Sequence, residues 1–385
     1  MSGGRSARLD SRTVDLAALT EVDVARWADL AGRALEPNPF VDPGYLLPAL
    51  RWDGQGAGIK LVVVMDGEDW IAALPLSVMP PAWKLPLRLA TTAGPFLSRR
   101  APLCAPLVDR ARAEPAIERL MEHLASPASG LPGLVELTLL PVGRLTELIR
   151  AECDRKRVRC LERYRFERAC LVRSAGKSPR GSLSVRRRKL LARKERGLER
   201  SLGGPLELVD LGCDQAAVDL FLDLEASGWK GARGSALRRK PGAAAWFNEV
   251  SAGFAERGML RILALQAGGE TVYSAVQLLV GNTVFGMMDA YEERWSAFTP
   301  GVIGRVREQE EFMDRGSAEL LDPCIHPRYV QPSALYPDRR LIVGLVLAPR
   351  GLINSQFLRL RPGMILVRDK YLKVAAAVSG WMRRG

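Results

Sequence analysis

Three short groups of residues, in fixed order, carry the side chains that could do chemistry in this chain. Glu225 stands in the first, Leu-Glu-Ala-Ser-Gly-Trp-Lys-Gly over residues 224–231, followed by Gly234-Ser235-Ala236. A carboxylate beside the indole of Trp229 is expected to be desolvated, which suits a general base. The plainer alternative is a helix-terminal glutamate with Trp229 as a core plug. Lys230 can meet a carboxylate or phosphate on an acceptor, or stay solvated. The second group, Ala290-Tyr291-Glu292-Glu293, follows Asp289, which closes a strand with Tyr291 on the same side. From there a phenol can protonate a leaving thiolate, although buried tyrosines are commonly just hydrogen-bonded core residues. Asp322 stands in the third group, Leu321-Asp322-Pro323-Cys324, where it either orients a substrate group or caps a turn.

Between the second and third groups lies Phe298-Thr299-Pro300-Gly301. Thr299 suits a helix N-cap, Pro300 the first helical position, and Gly301 a close approach by phosphate. The first N–H groups of a helix lack internal partners, so those of Gly301, Val302 and Ile303 are candidate donors to a bound phosphate, with Gly304 keeping that face open. An ordinary Thr-Pro helix start is the competing account.

The elements that must position these residues follow from periodicity. Residues 61–78 read as strand, Asp66-Gly67 turn, strand, and 262–280 repeat that plan around Gly268-Gly269. At an offset of 202, Gly67-Glu68, Ala73, Leu76 and Val78 match Gly269-Glu270, Ala275, Leu278 and Val280. Helix-like segments, 45–50 and 244–256, precede the two hairpins. Further helices are expected over 115–125, 182–201, 214–224 and 301–315, and strands over 134–140, 284–289 and 319–324. This organisation predicts two similar α/β units in tandem: 1–170, a basic linker helix over 171–203, a catalytic unit over 204–347, and a basic tail over 348–385.

The three groups, in this order and spacing, resemble the cellulose-biosynthesis type of GNAT acyltransferase, which is itself close to the Fem-type aminoacyl transferases; the likeness runs from about Asn38 to Leu347. It implies an α/β fold of two tandem GNAT-like domains, each a mixed, mostly antiparallel sheet flanked by helices. It also implies transfer of an acetyl or other acyl group from acyl-CoA to an amine or hydroxyl, with a small molecule or a sugar or polysaccharide precursor as acceptor. Glu225 and Tyr291 would then be catalytic, Trp229, Lys230, Asp289 and Asp322 substrate-binding, and Thr299 with residues 301–304 carrier-binding. The family pattern usually has lysine where this chain has Met288, aspartate where it has Glu292, and Gly-Thr-Ala at 234–236. A Fem-like transferase using charged tRNA, and a catalytically silent GNAT-like binding module, are the alternatives.

Other chemistries fare poorly. Six cysteines without a Cys-x-x-Cys pair and only two histidines, His123 and His326, do not supply a zinc ligand set, so no metal is expected. Cys324 and His326 share a strand face but lack a third partner for a nucleophilic triad. No phosphate loop of the Gly-x-x-x-x-Gly-Lys kind is present. No secretory signal or membrane span is read, and the cysteines suit reduced thiols, so a cytoplasmic protein is expected. The charge of +13 is concentrated: eleven Lys and Arg face two Glu over 173–200, and eight face one Asp over 350–385. Such a field attracts phosphate, whether of CoA, of RNA or of an anionic membrane. The first segment lacks any aromatic on which a base could stack. A solvated helix laid down by its leucines is its plain reading; the second, over 364–382, reads as an amphipathic helix for a membrane surface or as a packed one.

Overall fold

The computed structural model describes residues 9–52, 58–79, 87–94, 100–176, 178–228, 231 and 233–360. Trp229 and Lys230, and the tail segment 364–382, lie outside the described residues. The two expected hairpins are present. Strands β2 (Ile59–Asp66) and β3 (Asp69–Met79) pair antiparallel, and so do β9 (Leu260–Ala267) and β10 (Glu270–Val280). Their turns need the left-handed conformation that glycine adopts without cost, and Gly67, Gly268 and Gly269 all take positive φ.

Each hairpin follows its helix, α2 (Pro43–Trp52) and α7 (Ala243–Glu256). These two helices pack on each other. Tyr45 and Trp246, which occupy nearly equivalent places in the two repeats, meet edge to face at 5.3 Å and are both buried. The repeat unit therefore buries the apolar face of one copy against that of the other. A single hydrophobic cluster accordingly runs from Trp27 of α1 (Glu21–Gly32) through Phe40 and Tyr45 to Phe247, Phe254 and Phe285.

With β1 (Asp10–Asp15), β4 (Leu89–Thr91), β5 (Leu107–Val108), β6 (Val135–Pro141), β7 (Arg159–Val172), β8 (Glu207–Asp210), β11 (Thr283–Tyr291), β12 (Leu320–Asp322) and β13 (Asp338–Ala348), the strands form one mixed sheet in the order β1-β2-β3-β4-β6-β13-β7-β12-β11-β10-β9-β8, and β5 is attached to β3. Strand β13 lies late in the chain yet runs between β6 and β7. Strand β7 then pairs with β12 and joins the two halves of the sheet. Helices α3 (Ala113–Ala125) and α4 (Arg144–Arg155) cover the first half; α5 (Val185–Leu202), α6 (Gln215–Ser227) and α8 (Pro300–Asp314) cover the second, with α7 packed on α2, α6 and β9. The fold is thus α/β, a large and mostly antiparallel sheet flanked by helices.

Among the described residues no helix is long and apolar enough to cross a membrane, and no cluster of His, Cys, Asp or Glu is placed to hold a metal ion.

Candidate active site

Strand β11 (Thr283–Tyr291) pairs with β12 in parallel over only three positions, Thr283 to Phe285 against Leu320 to Asp322. Beyond them the two strands part. Two local features enforce the fork. Across from β10, Val276 faces Met288 and Gln277 faces Gly286, which leaves Met287 as the extra residue of a bulge and bends β11. On the other side Pro323 interrupts β12, and Cys324 takes a positive φ of 56° while its N–H bonds back to Asp322 at 2.9 Å. Gly286 stands at the crotch, where a Cβ would come within 3.1 Å of Pro323.

A cavity of about 640 Å³ occupies the fork. Asp289 and Tyr291 both line it, as the strand alternation predicts, and Met288 lines it where the family pattern has lysine. The floor brings in residues that the sequence reading did not single out. Arg305 and Glu308 of α8 face Tyr273 and Asp289 across the sheet surface. Arg305 bonds Asp289 at 2.5 Å. Tyr273 donates its hydroxyl to Glu308, and Gln277 donates to the other carboxylate oxygen at 2.7 Å. Burial, with Asp289 nearby, pushes the Glu308 carboxyl up to about 7, against the opposing pull of these two hydrogen bonds and of Arg305. The same burial, beside Glu308, holds the Tyr273 phenol well above its ordinary range. Only the three-residue spacing of Arg305 and Glu308, which puts both on one helical face, could have signalled this pair.

Glu225 sits elsewhere. It is buried at the end of α6 and accepts the Leu237 N–H at 2.7 Å, which ties the following loop to the helix. Its carboxylate borders a small cavity of about 120 Å³, walled by Asp289, Tyr291 and Arg305, which also line the larger one. Tyr291 and the Asp289–Arg305 pair thus separate two adjoining chambers.

Four expectations need correction. Thr299 does precede α8, but in the left-handed conformation, with φ 57° and ψ 52°, and makes no side-chain cap; its hydroxyl donates to Phe298 O at 2.7 Å. The N–H groups of Val302 and Ile303 both reach Thr299 O, at 3.0 and 3.2 Å, so of the three proposed donors Gly301 alone makes no backbone hydrogen bond among the described residues. Gly304 does not open the face. A Cβ there would lie 2.2 Å from the Tyr273 ring, so the glycine is where helix and sheet close. Asp322 does not line the cavity; of its two expected roles it takes the turn cap, accepting the Cys324 N–H at 2.9 Å. It is fully buried and bonds both Arg168 of β7 and, at 3.2 Å, Arg340 of β13, which holds its carboxyl below the ordinary aspartate range despite burial.

The Cys324–His326 arrangement does not make a nucleophile. Burial and the neighbouring Asp322 carboxylate push the thiol well above its ordinary value, and the His326 Nδ1 accepts the Arg328 N–H at 3.2 Å.

Residues 185–322 match the profile of the acetyltransferase (GNAT) domain family. This stretch is a GNAT-type domain. It begins at α5 and ends at Asp322, and so takes in the fork of β11 and β12, α8 and Glu225. The whole fold is similar to the crystal structure of FemX, at 9% identity and a TM-score of 0.54, over 87% of this chain and 96% of that one. It is also similar to the C-terminal domain of a putative lysylphosphatidylglycerol synthetase from Agrobacterium fabrum, at 12% identity and a TM-score of 0.50, over 88% and 95%. No curated protein matches the sequence.

Proposed function

We propose that this protein is an acyltransferase that moves an acyl group from acyl-CoA to an amine or hydroxyl held in the cavity between β11 and β12. The observation that carries the reading is Glu308: a carboxyl in the cavity wall whose pKa stands near 7 and whose two oxygens are held by Tyr273 and Gln277. A base poised near the working pH is what such transfer needs from side chains. The nucleophile attacks the thioester carbonyl, a new C–N or C–O bond forms, and its proton passes to Glu308. The C–S bond breaks, and the thiolate takes a proton from Tyr291. The GNAT-type domain supports the reaction class.

The carrier's phosphates are assigned to the start of α8, where Gly301 lies against the cavity-lining Tyr291, a Cβ there coming within 3.1 Å of its ring. The residues give this assignment partial support, since one first-turn amide rather than three is open there. Placement in the cellulose-biosynthesis branch, with a sugar-derived acceptor, rests on the residue patterns at 224–236, 290–301 and 321–324 alone.

The test is transfer of labelled acetyl from acetyl-CoA to a panel of amines and amino sugars, run with the unaltered protein, Glu308→Gln and Glu225→Gln. Turnover abolished in Glu308→Gln and retained in Glu225→Gln supports the assignment. The opposite pattern moves the base to Glu225. No transfer, together with no thermal stabilisation by millimolar acetyl-CoA, overturns the acyl-CoA reading.

A further inference from the structure

The outer face of α5 carries five cations in a straight row. Arg186, Lys189, Arg193, Arg196 and Arg200 recur at alternating spacings of three and four residues, so all five fall within a strip of about 80° of the helix circumference. The row is about 21 Å long, with a cation every 4.5–6 Å or so. All five side chains are exposed. None forms an ion pair among the described residues, although arginines elsewhere are closely held: Arg112, Arg180 and Arg261 each bond two or more carboxylates.

The helix under this row is fixed. Leu191 and Leu198 are buried in the core of the GNAT-type domain, and Glu195, on the inner face, takes Arg180 at 2.6 Å. Gly197 lies against the Phe298 ring, where a Cβ would come within 2.7 Å, and Lys194 reaches Ala297 O. The row therefore runs rigidly beside the turn Glu293–Phe298 that leads from the cavity to α8.

We infer that this row is a binding surface for the sugar–phosphate backbone of a nucleic acid. A linear, regularly spaced set of unpaired cations on a rigid helix fits a polymer that repeats a phosphate along its length. The phosphates of one CoA molecule are confined to its nucleotide end and would engage only the end of the row nearest α8. A bilayer would be met by apolar side chains set among the cations; the exposed Val185 and Leu190 of α5 flank the row instead of lying within it. Because the row carries no aromatic, binding is to the backbone and independent of base sequence. The inference does not depend on which acyl carrier the cavity takes.

Fluorescence anisotropy of a labelled RNA hairpin and a labelled DNA duplex, each titrated with the full chain across a series of salt concentrations, tests it. Five phosphate contacts give a log–log salt slope of about −3.5 for single-stranded contacts and about −4.5 for a B-form duplex. The relative affinity of the two probes tells which nucleic acid the row prefers. The double reversal Arg193→Glu with Arg196→Glu should weaken binding about tenfold or more and flatten the slope by about 1.4–1.8. Reversal of two exposed arginines elsewhere, Arg88→Glu with Arg159→Glu, makes the same change in net charge and should have little effect. Thermal unfolding checks that both variants remain folded. Equal weakening by the two double reversals, absence of salt-dependent binding to either probe, or binding only to phosphatidylglycerol vesicles would each overturn the inference. Acetyl transfer is measured separately, so its failure leaves this result legible.

Discussion

The phenol of Tyr273 donates to the carboxylate of Glu308, joining the second hairpin to α8 within the wall of the cavity. Gln277, on the same strand, occupies the other oxygen. Two donors from one strand fix the orientation of a group whose charge is opposed by burial. An acid held in this way is oriented without being fully stabilised as an anion, which is the condition of a base that works near neutrality.

The first prediction concerns rate against pH. Glu308 accepts a proton only when ionised, so kcat should rise with pH through about 7 and level off above it. Glu308→Gln should lower kcat by about 10²–10⁴-fold and remove this limb of the profile. A profile unchanged by the substitution would place the titrating base elsewhere.

Stability should respond to the same carboxyl in the opposite sense. Its folded pKa lies above the ordinary value of 4.5, so the folded state holds the proton more tightly than the unfolded state does. Its contribution is complete below 4.5 and is lost as pH rises through about 7. Glu308→Gln cannot ionise. The Tm of the variant relative to the unaltered protein should therefore climb between pH 5 and pH 8, and parallel curves would show that Glu308 is ionised throughout.

The elements around this site can be read from the sequence, along with Asp289 and Tyr291, and the rest of the site is hidden for physical reasons. The hairpins, α5, α6, α8 and the strand carrying Asp289 and Tyr291 follow from apolar periodicity and glycine turns, since burial on one face dictates both. Strand β7 does not announce itself. Arginines and glutamates fill much of Arg159–Arg168, and their pairing becomes visible only with neighbours such as Glu136 for Arg163 and Asp322 for Arg168. Glu308 is hidden for a related reason. On a helix a glutamate reads as solvated, and only the approach of β10 reveals that this one is buried. Thr299 shows the limit of local rules: its residue type suits a cap, but the turn before it imposes a left-handed backbone that a side-chain cap does not permit.

Gly304→Ala tests the closure of helix on sheet. The added carbon meets the Tyr273 ring, so either α8 or the ring must move, at a cost of about 1–3 kcal/mol. Displacing Tyr273 also releases Glu308. Urea unfolding should show the lost stability, and the pH limb of kcat should shift in the same variant. An unchanged stability would mean that the helix start has room to spare, as a carrier-facing glycine would require.

Asp322 binds three strands together, and its removal should be costly. Its carboxylate on β12 serves Arg168 from β7 and Arg340 from β13, and Arg168 is 3% exposed. Asp322→Asn leaves the Arg168 charge buried without a counter-ion, an error that costs about 3–5 kcal/mol. Arg340 retains Glu36 at 3.4 Å, so the loss should fall mainly on Arg168. The double variant Asp322→Leu with Arg168→Leu should then recover part of the stability, because it removes the uncompensated charge as well as its partner. Acid sets the boundary of the effect. The folded pKa of Asp322 lies below the ordinary 3.8, so its contribution is present above that value and is lost as pH falls through the folded pKa. Urea midpoints should therefore separate the unaltered protein from Asp322→Asn by a constant margin between pH 5 and 8, and converge only below about pH 3.8. A margin that vanished at neutral pH would show that Asp322 is not the anion that holds β7, β12 and β13 together.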